Sequence, residues 1–186
     1  QASIQSLQLL SARECAEIEA LVDEVVQDAT GGKLAERSVE HKGRRSKYFF
    51  GFAFAYSNGF QNGGEVLWPP WHASAIPAWL HERIIRRLEQ LGVVPQGWLN
   101  CATINDYAPR GCIAPHKDAP KLFGRPIVTV SLFSDCQLSF GVRSLAQDAP
   151  ALHVHPMRRG EATLLSGFSA DATTHAIRPC DLPTRR

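Results

Sequence analysis

The chain has 186 residues, 44% apolar and 20% charged, with a formal net charge of +2 at pH 7. That is the make-up of one globular domain with a full hydrophobic core. No apolar run approaches the ~20 residues a membrane span needs, and no basic-then-apolar signal segment opens the chain.

We read a sequence that begins at Gln1 as a fragment or a processed product. The first predicted element is a helix over about 11–29. Ser11 and Glu14 make the capping pattern S-x-x-E. Cys15, Ile18, Leu21, Val22, Val25 and Val26 recur at helical spacing, and Gly31 and Gly32 stop the run. HKGRRSK, residues 41–47, then packs Lys42, Arg44, Arg45 and Lys47 into one short stretch. Such a run either attracts nucleic-acid phosphates or is a solvated turn. KYFFGFAFAY, residues 47–56, alternates large aromatic and small residues as a strand does, apart from Phe49. Residues 57–75, rich in Gly, Asn, Trp and Pro, read as a long surface loop of the kind that forms lids.

A second helix is predicted over about 77–91, opened by Pro77 and closed by Gly92. Its stripe is Leu80, Ile84, Ile85, Leu88 and Leu91. Short strands follow at 101–107, 127–134, 137–142, 151–155, 161–166 and 173–178, parted by turn residues. The fold class is therefore mainly β with flanking helices (α+β), arranged as a sandwich, barrel or jelly roll. Cys15, Cys101, Cys112, Cys136 and Cys180 are odd in number and contain no C-x-x-C pair. That argues against a disulfide framework or a cysteine zinc site, and for free thiols in a reducing compartment.

NDYAPRGCIAPHKDAP, residues 105–120, concentrates the polar side chains that suggest chemistry. His116 and Asp118 are two apart, so on extended backbone they share a face. His175 lies in ATTHAI, another predicted strand. Two histidines and a carboxylate can occupy one face of an octahedral metal, as in non-haem Fe(II) oxygenases, leaving three positions open. Zinc prefers a closed tetrahedral shell or a single open position. A lone H-x-D is weak, and His153-x-His155 competes with it; we read the latter pair as strand residues. Asn105 and Tyr107 are also two apart, and arginines stand at 178, 185 and 186. A guanidinium fork is the natural partner of a dicarboxylate. Triad, amide, phenol and guanidinium together are what 2-oxoglutarate binding requires.

With these residues in place, the chain resembles the AlkB-type Fe(II)/2-oxoglutarate dioxygenases, and within them the branch of RNA N6-methyladenine demethylases. RRSKYFFGFAFAY, WPPW, IPAWLHERII, INDYAPRGCIAPHKDAPKLFGRPIVTVSLFSD and RRGEATLLSGFSADATTHAIRP follow that branch in order and spacing. The resemblance implies a single dioxygenase domain with a double-stranded β-helix (jelly roll) core over about 99–186, and a base-recognition strand and lid over about 40–75. It implies iron on His116, Asp118 and His175. It implies 2-oxoglutarate held by Asn105, Tyr107 and Arg186, with Arg186 at the distal carboxylate. Lys47 matches a catalytic lysine beside the substrate base, and Arg45 a substrate-contacting arginine. Arg44 is expected to meet phosphate, and Tyr56 is a further substrate-binding candidate.

The implied reaction consumes O2 and 2-oxoglutarate, yields succinate and CO2, and releases the methyl group as formaldehyde. Its substrate is N6-methyladenine in single-stranded nucleic acid, RNA favoured over DNA, because the methyl must leave a stack to reach the metal. A monomer is expected, nuclear or cytoplasmic, not secreted and without membrane contact. Two other readings stay open. One is a 2-oxoglutarate dioxygenase acting on methylated DNA, a protein or a small molecule; the other is an inactive nucleic-acid reader of the same fold. The chain departs from the branch pattern in three places. The pattern runs past Arg186 through a last strand to a second arginine, which we expect to be absent here. Phe54 stands where the branch has an active-site tyrosine. Val142 and Ala176 stand where the animal enzyme has a cysteine pair, so that disulfide cannot form.

Overall fold

The structure, a computed structural model, describes residues 3–57 and 64–183. In chain order the strands are β1 (Ile4–Gln8), β2 (Val39–Lys42), β3 (Arg45–Phe50), β4 (Ala53–Ser57), β5 (Gly64–Trp68), β6 (Ala102–Tyr107), β7 (Ile113–His116), β8 (Ile127–Val130), β9 (Cys136–Phe140), β10 (His153–Met157), β11 (Glu161–Leu165) and β12 (His175–Ile177). The helices are α1 (Ala12–Thr30), α2 (Ala78–Leu80) and α3 (Arg86–Gln90), the last two joined by a π-type segment, His81–Ile85. The backbone divides into two units. The first holds Gln1–Glu19, Gly43–Arg45 and Tyr107–Arg186; the second holds Ala20–Lys42 and Ser46–Asp106.

The first unit is a jelly roll of two sheets, ordered β1-β11-β8 and β10-β9-β12-β7. Neighbouring strands in both run antiparallel. Alternation along each strand turns one set of side chains inward. Ile4, Ile127 and Leu165 from one sheet and Ile113, Leu138, Phe140, Met157 and Ile177 from the other meet in a single apolar cluster. Fully burying such a side chain is worth about 1.5–3 kcal/mol, so this cluster holds the two sheets face to face.

The second unit carries the sheet β2-β3-β6 and the hairpin β4-β5. Tyr48 and Phe50 of β3 pack with Val25, Ala102, Ile104 and Trp79 in its main cluster. Phe49 faces the other way, onto Ala53, Ala73, Phe54 and Trp68. The strand is therefore buried on both faces, which explains why Phe49 breaks the alternation.

Helix α1 forms as its sequence dictates. Ser11 N–H donates to Glu14 Oε2 at 2.7 Å and Glu14 N–H donates back to Ser11 Oγ at 3.3 Å, both legs of the capping box. Cys15, Ile18, Val22 and Val25 are buried. Lys33 N–H to Asp28 O and Gly32 N–H to Ala29 O close the C-terminus as a Schellman pair. The second helix falls at Ala78–Gln90, with Leu80, Ile85 and Leu88 buried; Leu91 lies beyond it and is 55% exposed.

The structure corrects several expectations. The single strand over 47–56 is two strands, broken at Gly51. That residue has φ +78°, and a Cβ there would lie 2.4 Å from the Asn100 carbonyl oxygen. A glycine inside a strand pattern marks such a close backbone approach. The loop over 57–75 contains β5, paired with β4 from Ala53↔Trp68 to Ser57↔Gly64; residues 58–63 lie outside the described residues. Strand β1 went unread because IQSLQ is mostly polar: it is an edge strand whose partner β11 supplies the hydrophobic face.

Candidate metal centre

Strands β7 and β12 are neighbours, and their register sets His175 directly opposite His116. Opposed residues project from one face of a sheet, and the two imidazole centroids are 4.5 Å apart. Asp118 follows His116 at the alternating spacing. Its Oδ2 is 3.3 Å from His175 Nε2 and its Oδ1 is 4.0 Å from His116 Nε2. One ligand atom from each residue lies within 4.8 Å of the other two, and no other such group of three occurs among the described residues.

The side chains fit a metal in their protonation as well as their spacing. His116 Nδ1 sits 2.9 Å from the Ala114 carbonyl. A carbonyl only accepts, so Nδ1 carries the proton and Nε2 presents its lone pair towards Asp118. His175 is buried, and its pKa is pushed down to about 4, first by burial and then by the neighbouring His116 imidazole, against the pull of Asp118. It is therefore neutral at neutral pH, as a ligand must be. Phe140 lies opposite His175 on β9, ring centroids 6.1 Å apart, and walls the site. Two imidazoles and one carboxylate on one side suit a divalent transition metal with open positions.

Arg125 braces this arrangement, and sequence reasoning missed it. Its Nη2 donates to the Asp118 carbonyl at 2.8 Å and its Nε to Asp171 Oδ1 at 2.9 Å. Asp171 belongs to the π-type segment Phe168–Ala172, just before β12. One guanidinium thus ties the Asp118 loop to the stretch that delivers His175. In sequence Arg125 stands in FGRP, residues 123–126, a stretch that signals only a turn. The one available signal was its place inside the long INDY-to-FSD segment.

The remaining candidates are placed as follows. Tyr107 ends β6 and packs against the jelly-roll cluster. Burial pushes its phenol up to about 12, against the charge and hydrogen bond of Arg45. Arg45 is buried on β3 beside it. Arg44 is exposed and donates to the Pro109 carbonyl at 3.2 Å. Lys47 and Asn105 belong to the second unit. Lys47 is buried, forms an ion pair with Glu40, and lies 5.1 Å from the Phe49 ring centroid. Asn105 is exposed on β6, on the face away from Ile104. Tyr56 has its backbone on β4, paired with Glu65. Arg185 and Arg186 lie outside the described residues. Arg178 is buried and spent within the fold, donating to Asp181 and to the Gln147 and Ala149 carbonyls. His153 and His155 sit on β10, with His155 Nε2 2.8 Å from Ser6 Oγ. All five cysteines are free thiols, only Cys15 fully buried.

No family model matches the chain. RNA demethylase ALKBH5 of Bos taurus is 44% identical over 190 residues, covering 98% of this chain and 48% of that protein. The Xenopus laevis protein of the same name is 44% identical with 52% of its length covered. RNA demethylase ALKBH9B of Arabidopsis thaliana is 31% identical over 111 residues, 58% of this chain and 21% of that protein. The chain spans about half the length of the ALKBH5 proteins it matches. The solved structure of OsALKBH1 aligns with a TM-score of 0.58 over 95% of this chain and 85% of its own, at 13% identity, a likeness of fold alone. The chain is thus similar to proteins named RNA demethylase ALKBH5 along nearly all of its residues, and it shares the fold of an AlkB homologue around its histidine–aspartate–histidine cluster.

Proposed function

We propose that this chain carries a single Fe(II)- and 2-oxoglutarate-dependent dioxygenase domain that demethylates N6-methyladenine in single-stranded RNA. The observation that carries the reading is the His116–Asp118–His175 cluster, standing in a chain 44% identical to proteins named RNA demethylase. Iron held by those three side chains would supply the oxidising chemistry that protein side chains lack. The protein's own part is to hold and orient. Tyr107, whose phenol stays protonated at neutral pH, donates to 2-oxoglutarate together with Asn105 and Arg186. Arg44, exposed at the basic run, meets a phosphate. Lys47 and Tyr56 serve the methylated base, Lys47 as the catalytic residue.

A nucleic-acid substrate is supported by exposed aromatic surface next to positive charge. Trp71 is 79% exposed, its ring is 6.1 Å from that of His72, and the Arg37 guanidinium lies 4.6 Å from the Trp68 ring centroid. Rings of this kind, with arginine, stack unpaired bases. Among the described residues no helix is long and apolar enough to cross a membrane. A reducing compartment, nuclear or cytoplasmic, fits the five free thiols, and we propose that the chain acts there as a monomer.

The test is mass spectrometry of matched N6-methylated RNA, methylated DNA and methylated peptide after incubation with the chain, Fe(II), 2-oxoglutarate and O2. The RNA should lose its methyl group fastest and release formaldehyde. Turnover of the peptide alone, or of none of the three, would contradict the proposal.

A further inference from the structure

The proposed reaction leaves the motif His153-x-His155 without a task. Both histidines lie on β10, and strand alternation turns them to one face. Met157 continues that face and is buried in the apolar cluster, so the pair points to the inner side of its sheet. The register fixes its place. His116 stands opposite His175, His175 opposite Phe140, and Phe140 opposite His153. One row across four strands thus begins with the triad's two histidines and ends at His153. Two strand spacings separate His153 from His175, roughly 10 Å of backbone. Phe140, only 2% exposed, fills the gap between them. The pair is therefore a separate group and not an extension of the triad.

The two imidazoles are spaced for a shared ion. Their centroids are 5.9 Å apart. Metal–nitrogen bonds of about 2.0–2.1 Å hold two imidazole centroids on one ion roughly 4.5–6 Å apart. The observed spacing is at the wide end of that range, and His153 is exposed, so its ring turns inward without disturbing the core. His155 is oriented as a ligand is. Its Nε2 is 2.8 Å from Ser6 Oγ, and that oxygen is 3.4 Å from Thr163 Oγ1. When the serine hydroxyl donates to Thr163, its oxygen accepts from Nε2–H of His155, and Nδ1 keeps its lone pair. A ligating histidine ordinarily gives its second N–H to such an oxygen. Burial, and then the neighbouring His153 imidazole, lowers the pKa of His155 against the pull of Glu161. That favours the neutral ring a metal needs.

The chemistry narrows the ion. Two imidazoles with the remaining positions open to water suit copper(II), nickel(II) or zinc(II), whereas manganese(II) is the weakest binder of the series. We infer that His153 and His155 form a second metal site, distinct from the triad, that chelates one late first-row divalent ion with water completing its shell. This goes beyond the dioxygenase reading and does not depend on it.

The test is calorimetric titration of Zn(II) into the untagged full chain carrying His116→Ala and Asp118→Ala, which leave the triad one ligand, with and without His153→Gln. Mn(II) is titrated in parallel into the His153→Gln chain with its triad intact. The chain without a triad should still bind one Zn(II). Adding His153→Gln should weaken that binding about tenfold or more, because the remaining imidazole has lost its chelating neighbour. His153→Gln alone should keep its Mn(II) affinity within about twofold of wild type. No Zn(II) binding without the triad, or equal isotherms with and without His153, would overturn the site. Loss of Mn(II) affinity in His153→Gln would overturn it too, by placing His153 in the triad's own site. If circular dichroism shows a variant unfolded, imidazole NMR of the wild-type chain decides. Two equivalents of Zn(II) should then move the ring signals of His153 and His155 as well as those of His116 and His175, and unmoved His153 and His155 signals would overturn the inference.

Discussion

His116 shows how much of the metal centre is decided by single atoms. Its Nδ1–H is committed to the Ala114 carbonyl, two residues back on the same strand, so Nε2 is left as the only free lone pair. Each of the three side chains offers one candidate ligand atom, so a metal held there would have three protein ligands. His175→Ala or Asp118→Ala should therefore abolish Mn(II) binding measured by calorimetry while the far-ultraviolet dichroism is retained; wild-type affinity in either would refute the site. Arg125 acts one step away, through the Asp118 carbonyl and Asp171. Arg125→Ala should weaken metal affinity about 10–100-fold, the usual cost of losing an outer partner of a ligand. An unchanged isotherm would show that the loop holds Asp118 unaided. The triad was legible in the sequence because strand alternation turns an H-x-D into neighbours. Arg125–Asp171 and Arg45–Tyr107 were not, because partners 46 and 62 positions apart leave no local spacing to read.

At the scale of elements, α1 is tied into the first unit by one carboxylate. Glu19 accepts from the Phe133 N–H at 2.5 Å and from Arg159 Nε and Nη2, both at 2.7 Å. Burial alone would raise its pKa, but the bonds from Arg159 and Phe133 outweigh it and the value is lowered. Folding thus favours the ionised form. The stabilisation is complete above the ordinary carboxylate value and is lost as pH falls through the depressed folded value. Glu19→Gln should cost about 1–3 kcal/mol at neutral pH, the penalty of leaving buried donors short. The gap to wild type in urea melts should shrink on acidification. A gap independent of pH would show that the pair contributes no ionic stabilisation. Elements with a strong period were legible: α1 and the second helix fall within a residue or so of their predicted bounds. Strands β1, β2 and β7 were not, because their sequences are short and mixed, and pairing partners supplied what local pattern lacked.

For the whole molecule, the jelly roll gives two sheets closed on one apolar cluster, with β7 and β12 adjacent so that histidines distant in sequence stand opposite each other. A motif that is weak in sequence becomes specific only through that strand order. The same fold hosts many chemistries, so the demethylase reading stands or falls on turnover. The most direct measurement is the yield of succinate alongside methyl loss from N6-methylated single-stranded RNA, for wild type and Asp118→Ala, with and without 2-oxoglutarate. We predict that wild type forms at least as much succinate as it removes methyl groups, that methyl loss stops without 2-oxoglutarate, and that Asp118→Ala yields neither product. Methyl loss that continues without 2-oxoglutarate, or in Asp118→Ala, would contradict it.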